Sequence, residues 1–458
     1  MSNDLFSDFQ PVSSKQWKQQ IQYELKGADY NETLIWESPE GIKVKPFYHK
    51  DEAQMDFSNT NSAEEFKICQ NIFVYDLEKS ADRALETLGR GAESIRFTIE
   101  DETIDVEKLV AKLPLANTTV YFKLLFFSID FVKKIDAIAK DRNATIFVQI
   151  DPVGRLAKEG NWHTNLESDF DNLNTLSIAC QNIHFISVDG SLYQNAGANS
   201  VQQIAYILAH ANEYFNRVAT ISKPIVIQVA VGTNYFFEIA KIRSIRLLFN
   251  LLAKEYDHNF DSHILAIPTK RNKTLYDYNV NMLRTTTECM SAILGGADAV
   301  SNLPYDALYH KDNEFGDRIA RNQLLVLKHE SYFDKVSNPS EGAYYIENLT
   351  NQLTEKALAL FKDIEANGGF ITQLVEGTIQ RKIQESATKE QELFDSGKEI
   401  LLGTNKYPNK NDRMGHDLEL FPFVKTKPRK TMVSPIIEKR LAEKMEQERL
   451  ETEKESLS

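Results

Sequence analysis

The chain has 458 residues, of which 42% are hydrophobic and 26% are charged, as in a globular protein with one large or two ordinary domains. A formal net charge of −13 argues against a protein that binds a nucleic-acid backbone, which needs clustered Lys and Arg. The first ten residues are acidic, and no apolar run approaches the ~20 residues of a membrane helix. We therefore expect a cytoplasmic protein without a signal peptide or a membrane span.

Residues 1–40 are polar and precede any predicted strand. Trp17, Ile21, Tyr23 and Leu25 lie near helical spacing, and Ser13 or Ser14 is a suitable helix cap. We interpret this region as an N-terminal arm that packs on the body of the protein or on a partner. A turn over residues 38–41 then leads into an alternating, exposed strand over residues 42–47.

From residue 66 onward, short apolar runs alternate with amphipathic stretches. Eight runs have the β-branched and aromatic composition of strands: Ile72–Tyr75, Ser94–Ile99, Thr119–Phe126, Thr145–Ile150, His184–Val188, Ile225–Val231, His263–Ile267 and Ala297–Asn302. Five stretches between them have helical spacing: Lys79–Gly89, Ile129–Lys140, Ala198–Asn216, Tyr235–Tyr256 and Asn279–Leu294. This repeat predicts an α/β fold, a (β/α)8 TIM barrel. A doubly wound open sheet is the alternative, although no glycine-rich turn follows the first run.

Two aspartates lie at the carboxyl ends of predicted strands, where barrel enzymes have their active sites. Asp151 follows the fourth predicted strand and Asp189 the fifth. Either could be a general base if its pKa were raised. The alternative is that Asp-Pro and Asp-Gly are turn chemistry alone.

Beyond the barrel, helices are predicted over Leu353–Ile364 and residues 374–395, with a short strand at Ile400–Leu402. Residues 409–458 are predicted to be a linker and a charged tail, so that the barrel domain spans residues 41–408 with its helical extension.

The tail has a narrow apolar stripe of Ile437, Leu441 and Met445, and Ser434-Pro435 resembles a helix start. A solvated helix or frayed tail and a small docking helix are both compatible with this pattern.

Chemical motifs are absent from the sequence. Cys69, Cys180 and Cys289 lie far apart, without metal-ligand spacing, and are predicted to be buried free thiols. There is no HExxH, no G-x-S-x-G and no Walker loop.

Several longer stretches together carry a resemblance. They are Phe9–Val12, Leu25–Asp29, Glu40–Ile42, Pro46–Tyr48, Asn234–Arg243, Arg284–Thr286, Leu294–Gly296, Arg318–Asn322, Glu341–Thr350, Asp395–Gly397 and Gly403–Tyr407. Over residues 9 to about 408 the chain resembles the methylmalonyl-CoA mutase family, and in particular its small (beta) subunits. The resemblance implies an isomerase of propionate metabolism that interconverts (R)-methylmalonyl-CoA and succinyl-CoA by a radical rearrangement with adenosylcobalamin. In the family, the CoA arm passes through the barrel.

The departures from the family pattern concern the residues that hold substrate. Leu192 stands where the family motif has a His that contacts the thioester, and leucine can neither donate a hydrogen bond nor carry a proton. Residues 48–66 and 161–174 contain no arginine, although the family places substrate-binding motifs there. We therefore expect no catalytic, cofactor-binding or metal-binding residue on this chain.

The cobalamin-binding signature Asp-x-His-x-x-Gly is also missing, and Asp261-Ser262-His263 is a coincidental near match. The resemblance implies a non-catalytic small subunit, lacking the cobalamin-binding domain, in a heterodimer with a methylmalonyl-CoA mutase large (alpha) subunit that binds the adenosylcobalamin. The arm and the helix over residues 235–256 are the predicted interface. The alternatives are an independent CoA-ester-binding barrel enzyme that uses Asp151 or Asp189, and a regulatory CoA-ester site within the complex.

Overall fold

The computed structural model describes residues 10–52, 65–258, 260–425 and 428–455. The arm contains helices α1 (Ser14–Glu24) and α2 (Tyr30–Leu34) and strand β1 (Trp36–Glu37), which pairs antiparallel with β2 (Lys43–Val44) just beyond the arm. Ser13 caps α1, because its hydroxyl accepts a hydrogen bond from the Gln16 amide at 3.2 Å and the Gln16 side chain accepts one from the Ser13 amide at 2.9 Å. The predicted strand over residues 42–47 shortens to β2, which ends before Pro46, a residue without a backbone donor.

Eight parallel strands close into a barrel in the order β10, β3, β4, β5, β6, β7, β8, β9. Their bounds are β3 Lys67–Phe73, β4 Ser94–Ile99, β5 Thr119–Leu124, β6 Ile146–Ile150, β7 His184–Asp189, β8 Val226–Val231, β9 His263–Pro268 and β10 Ala299–Val300. The barrel closes where Ala299 lies opposite Lys67 and Val300 opposite Ile68. The prediction of a (β/α)8 barrel is confirmed, and the open-sheet alternative is wrong.

Helices follow the strands and cover the outer surface of the barrel. Those up to the last barrel unit are α3 Leu77–Gly89, α4 Val106–Val110, α5 Ile129–Asp141, α6 Pro152–Glu159, α7 Leu166–Ala179, α8 Ser191–Asn195, α9 Ser200–Arg217, α10 Tyr235–Glu255, α11 Val280–Leu294 and α12 Glu314–Leu325. Sequence reasoning missed α4, α6, α7 and α8. In α6 the Asp-Pro pair is a helix start, with Asp151 as the cap and Pro152 as the first helical residue.

The strand alternation separates two cores. In β4 the side chains of Ile95, Phe97 and Ile99 are buried in the large apolar core between the strands and the helices. Arg96, between them, points to the barrel axis, where it contacts other strands. Polar residues that face the axis weaken the apolar pattern of a strand, and for this reason the predicted run Ile72–Tyr75 begins five residues after the start of β3.

The chain continues after α12 with one π-helical turn at Val326–Glu330 and then with α13 (Tyr344–Ala366), α14 (Gly369–Val375), α15 (Thr378–Asp395) and α16 (Glu443–Glu455). The helix predicted over residues 374–395 is divided before α15 by Gly377, whose φ is +76°. The predicted strand at Ile400–Leu402 is wrong, since that segment forms only an isolated bridge between Leu402 and Lys406.

The tail packs against the barrel. Ile436, Leu441 and Leu450 are buried, whereas Ile437 and Met445 are exposed. The prediction of a solvated or frayed tail is therefore wrong for the described residues. So is the helix start at Ser434-Pro435, because α16 begins only at Glu443. We call residues 428–442 the strap. The domain boundaries at residues 40 and 408 stay predictions.

The three cysteines are buried free thiols, as predicted. Burial raises the pKa of Cys69 and that of Cys180 to about 11, so both stay protonated near neutral pH. None of the helices in the described ranges is both long and apolar enough to cross a membrane.

Candidate functional site at the carboxyl end of the barrel

Charged and amide side chains meet at the carboxyl end of the barrel around Asp189, the last residue of β7. Its carboxylate lies 3.0 Å from the Lys123 ammonium at the end of β5 and accepts a hydrogen bond of 2.7 Å from the Gln228 amide of β8. Ser191 also donates to it through its hydroxyl. Strands β5 and β8, both distant in sequence from β7, therefore contribute partners to one carboxylate.

The electrostatics of Asp189 argue against a role as a general base. Burial of this carboxyl would raise its pKa, but Lys123, Lys158 and the Ser191 hydroxyl outweigh burial and hold the pKa well below its usual range. A general base works best with a pKa near the working pH. Asp189 instead remains an ionised anchor for the neighbouring side chains.

Asp151 is also occupied by structural contacts. Its Oδ1 accepts hydrogen bonds from the Gly154 amide at 2.7 Å, the Tyr214 hydroxyl at 2.5 Å and the His210 ring at 2.8 Å. Its Oδ2 accepts one from the Asp189 amide at 2.8 Å. The side chain thus caps α6 and joins it to β7 and α9, which supports the turn interpretation over the base interpretation. Sequence reasoning missed His210 and Tyr214, whose four-residue spacing on α9 was the available signal.

Aromatic rings fill the barrel axis toward the amino ends of the strands. Phe147 stacks on Tyr121 with ring centroids 5.1 Å apart and on His263 at 4.2 Å. His184 packs against the same ring at 4.3 Å, and the Tyr121 hydroxyl lies 2.8 Å from His263 Nε2. Burial lowers the pKa of both His184 and His263 to about 4, so these rings are neutral near pH 7.

A polar layer lies next along the axis. Arg96, which is 5% exposed, donates to Gln149 at 2.7 Å, to Gln228 at 2.5 Å and to Asn71 at 3.3 Å. The guanidinium therefore crosses the barrel and links four strands. Together with the aromatic layer it makes this part of the barrel a packed core rather than a channel.

The model of the family described as methylmalonyl-CoA mutase matches residues 98–455. The chain belongs to this family. It is 32% identical to the methylmalonyl-CoA mutase small subunit of Porphyromonas gingivalis, across 91% of this chain and 73% of that protein.

Other members match a shorter part of the chain. The methylmalonyl-CoA mutase of Rhizobium meliloti is 35% identical across 50% of this chain and 34% of its own length. That of Escherichia coli is 32% identical across 48% of this chain and 33% of its own length. The chain thus spans about a third of the length of these two mutases and most of the length of the small subunit.

Leu192 occupies the position at which the sequence predicts a substitution of the family's histidine. It lies on α8, directly after β7, and is 3% exposed within the large apolar core. Its side chain offers neither donor nor acceptor to a substrate thioester. The prediction that this chain has no catalytic residue stays a prediction, as does the significance of the missing arginines. Phe9 of the arm motif and residues 53–64 of the first arginine-free segment lie outside the described residues.

His263 does not fit the role of a lower cobalt ligand. His263, in the near match to the cobalt-ligand signature, begins β9 and is held inside the barrel by Tyr121 and Phe147. A lower cobalt ligand needs a free ring nitrogen with open space beyond it. Within the described ranges, no cluster of three or more His, Cys, Asp or Glu side chains could hold a metal ion.

Proposed function

We propose that this chain is a non-catalytic small subunit of an adenosylcobalamin-dependent methylmalonyl-CoA mutase. Its role is to support a large (alpha) subunit that binds the cobalamin and the CoA ester and interconverts (R)-methylmalonyl-CoA and succinyl-CoA. The observation that carries the proposal is the packed axis of the barrel.

A CoA ester that runs through a barrel needs an open axis. Here Arg96 holds Gln149 and Gln228 across the axis, and Tyr121 and Phe147 stack below them. Opening this space would leave a buried guanidinium without its partners, which costs several kcal/mol in proteins. Leu192 supports the same conclusion, because the side chain cannot polarise a thioester.

The partner is inferred from the family, since the related Porphyromonas gingivalis protein is called a small subunit. The arm supports such an association, because Trp17 and Tyr23 on α1 are 50% and 82% exposed. The predicted contribution of α10 is less well supported. Most of that helix is buried in this chain, and among its large apolar side chains only Phe236 and Leu251 are exposed.

The independent enzyme is the weaker alternative. Both of its candidate bases are committed to structural hydrogen bonds, Asp151 to four donors and Asp189 to Lys123, Gln228 and Ser191. Among the residues that the structure describes, no contact favours a regulatory CoA-ester site over a purely structural role.

Purification of the chain alone and together with a methylmalonyl-CoA mutase large subunit tests the proposal. We expect turnover and the visible absorbance of a bound corrinoid only when the large subunit is present. A Leu192→His chain should remain inactive alone, because the packed axis still excludes substrate. Isomerisation by the unaccompanied wild-type chain would refute the proposed role.

A further inference from the structure

The strap is fixed to the carboxyl end of the barrel through its main chain. It lies against α6, α8 and the loop after β9 through three amide-to-carbonyl hydrogen bonds: Ile436 to Ala157 at 2.8 Å, Lys439 to Asn195 at 3.1 Å and Leu441 to Arg271 at 2.9 Å. These bonds do not depend on the side chains of the strap. Any side chain between positions 436 and 441 is therefore held at a defined place on the barrel rim.

Glu438 lies in this interval and faces the barrel. Its Oε1 accepts a hydrogen bond of 2.9 Å from the Asn195 side-chain amide, and its Oε2 lies 3.2 Å from the Lys158 ammonium. Burial would raise the pKa of Glu438, but the charges of Lys158 and Lys270 outweigh burial and hold that pKa below its ordinary value. The surroundings of this side chain thus favour a carboxylate anion.

The barrel builds this environment without the strap. The side-chain oxygen of Asn195 accepts hydrogen bonds from the Thr269 hydroxyl at 2.8 Å and from the Lys270 amide at 2.9 Å. A rotated amide would lose both bonds, so the Asn195 NH2 group is directed outward toward Glu438. Lys158 comes from α6 and Lys270 from the loop after β9, so both cations belong to barrel units. A preorganised donor beside the Lys158 ammonium, with the charge of Lys270 acting on the same carboxylate, is a binding arrangement for a carboxylate.

We propose that Lys158, Asn195 and Lys270 form a carboxylate-binding seat, which Glu438 of the strap fills in cis and which takes a small free carboxylate in its place. The side chain of Glu438 is 32% exposed, so a solute can reach the seat while the strap stays attached by its main chain. This inference goes beyond the proposed subunit role and does not depend on it.

The test uses the full chain with Glu438→Ala and sodium acetate as the probe. We expect the NMR signals of the Asn195 side-chain amide to shift saturably with acetate. Sodium chloride at equal ionic strength should leave them in place. The Glu438→Ala chain should bind acetate with a dissociation constant at least tenfold lower than that of the wild-type chain, where the Glu438 carboxylate competes for the seat. The dissociation constant of a Glu438→Gln chain should lie between those of the alanine variant and the wild type. If the alanine variant does not fold, the comparison of Glu438→Gln with the wild type is sufficient.

A second substitution identifies the site. Adding Lys158→Met to Glu438→Ala should weaken acetate binding at least tenfold, whereas adding Lys140→Met, an exposed lysine of α5, should not change it. The proposal is overturned if acetate gives no saturable shift in either Glu438 variant. It is also overturned if chloride acts equally or if the Lys158 substitution leaves acetate binding intact.

Discussion

At the scale of single residues, Asp151 is the aspartate at a strand end whose carboxylate joins α6 to β7 and α9 through hydrogen bonds. Four donors converge on its carboxylate, and a Cβ at position 154 would lie 2.2 Å from Oδ2, so the helix start needs glycine there. Buried donors without an acceptor cost about 1–3 kcal/mol each.

Asp151→Ala should therefore lower the free energy of unfolding by at least about 3 kcal/mol, as measured by urea denaturation at pH 7. Asp141→Ala, at the exposed end of α5, is the matched control and should change it by less than about 0.5 kcal/mol. Equal effects of the two substitutions would show that the four bonds contribute little.

His263 gives the barrel a defined dependence on pH. Its pKa is lowered to about 4 by burial in the folded chain, whereas an unfolded histidine has a pKa of about 6.5. The unfolded chain thus binds more protons between these two values, and stability contributed by the neutral ring is lost as the pH falls from about 6.5 toward about 4.

His263→Gln should remove about 1–2 kcal/mol of the stability loss between pH 7.5 and pH 5, followed by urea denaturation at both values. His416→Gln, at an exposed position, should leave that loss unchanged. The burial argument fails if the two variants show the same pH dependence.

At the scale of elements, the strap depends on a glycine of the barrel. Gly160 ends α6 with φ of +78°, and its carbonyl accepts hydrogen bonds from the amides of Met432 and Val433 at 2.9 and 3.1 Å. A Cβ at this position would lie 2.6 Å from the Val433 carbonyl oxygen and 2.8 Å from Thr431 Cβ. Close approach of the strap therefore requires glycine here.

Gly160→Ala should speed amide hydrogen exchange at Met432, Val433 and Ile436 by at least tenfold, as the strap moves away from α6. Gly377→Ala is the matched control. Its φ of +76° carries the same backbone strain of about 1 kcal/mol, but nothing lies within 4 Å of the added carbon. It should lower stability without changing exchange in the strap, and faster exchange in both variants would contradict the close-contact explanation.

At the scale of the whole molecule, the barrel is a filled scaffold with an arm that exposes aromatic side chains. Trp17 touches the body edge-on through Phe47, with ring centroids 6.3 Å apart, while half of its surface remains exposed. Large exposed aromatics are common anchors in protein interfaces.

A Trp17→Ala, Tyr23→Ala chain should bind the large subunit at least tenfold more weakly, as measured by analytical ultracentrifugation of mixtures. Its own unfolding transition should shift only slightly, since Tyr23 is largely exposed and Trp17 is half exposed. Tyr75→Ala removes an aromatic ring that is 90% exposed just beyond β3 and should leave the affinity unchanged. An unaltered affinity of the double variant would exclude the arm from the interface.

Strand and helix alternation could be predicted because it is local. A run such as Ser94–Ile99 carries its own period, and the observed strand has the same bounds. The short helices α6 and α8 could not be predicted, because the Asp-Pro and Gly-Ser pairs at their starts also occur in turns. Only contacts with β7 and α9 decide between turn and helix. Asp151 and Asp189 were correctly placed at strand ends, but their roles depended on donors from other units.

The sequence by itself determined the barrel and the family, because each of these is written in a local period or a contiguous motif. Only the tertiary structure decided that the axis is filled and that the strap lies on the rim. Arg96 meets Gln149 and Gln228 across 53 and 132 residues, and Glu438 meets Asn195 across 243. A local pattern states which face a side chain occupies, whereas its partner is fixed only when the chain closes and brings distant strands together.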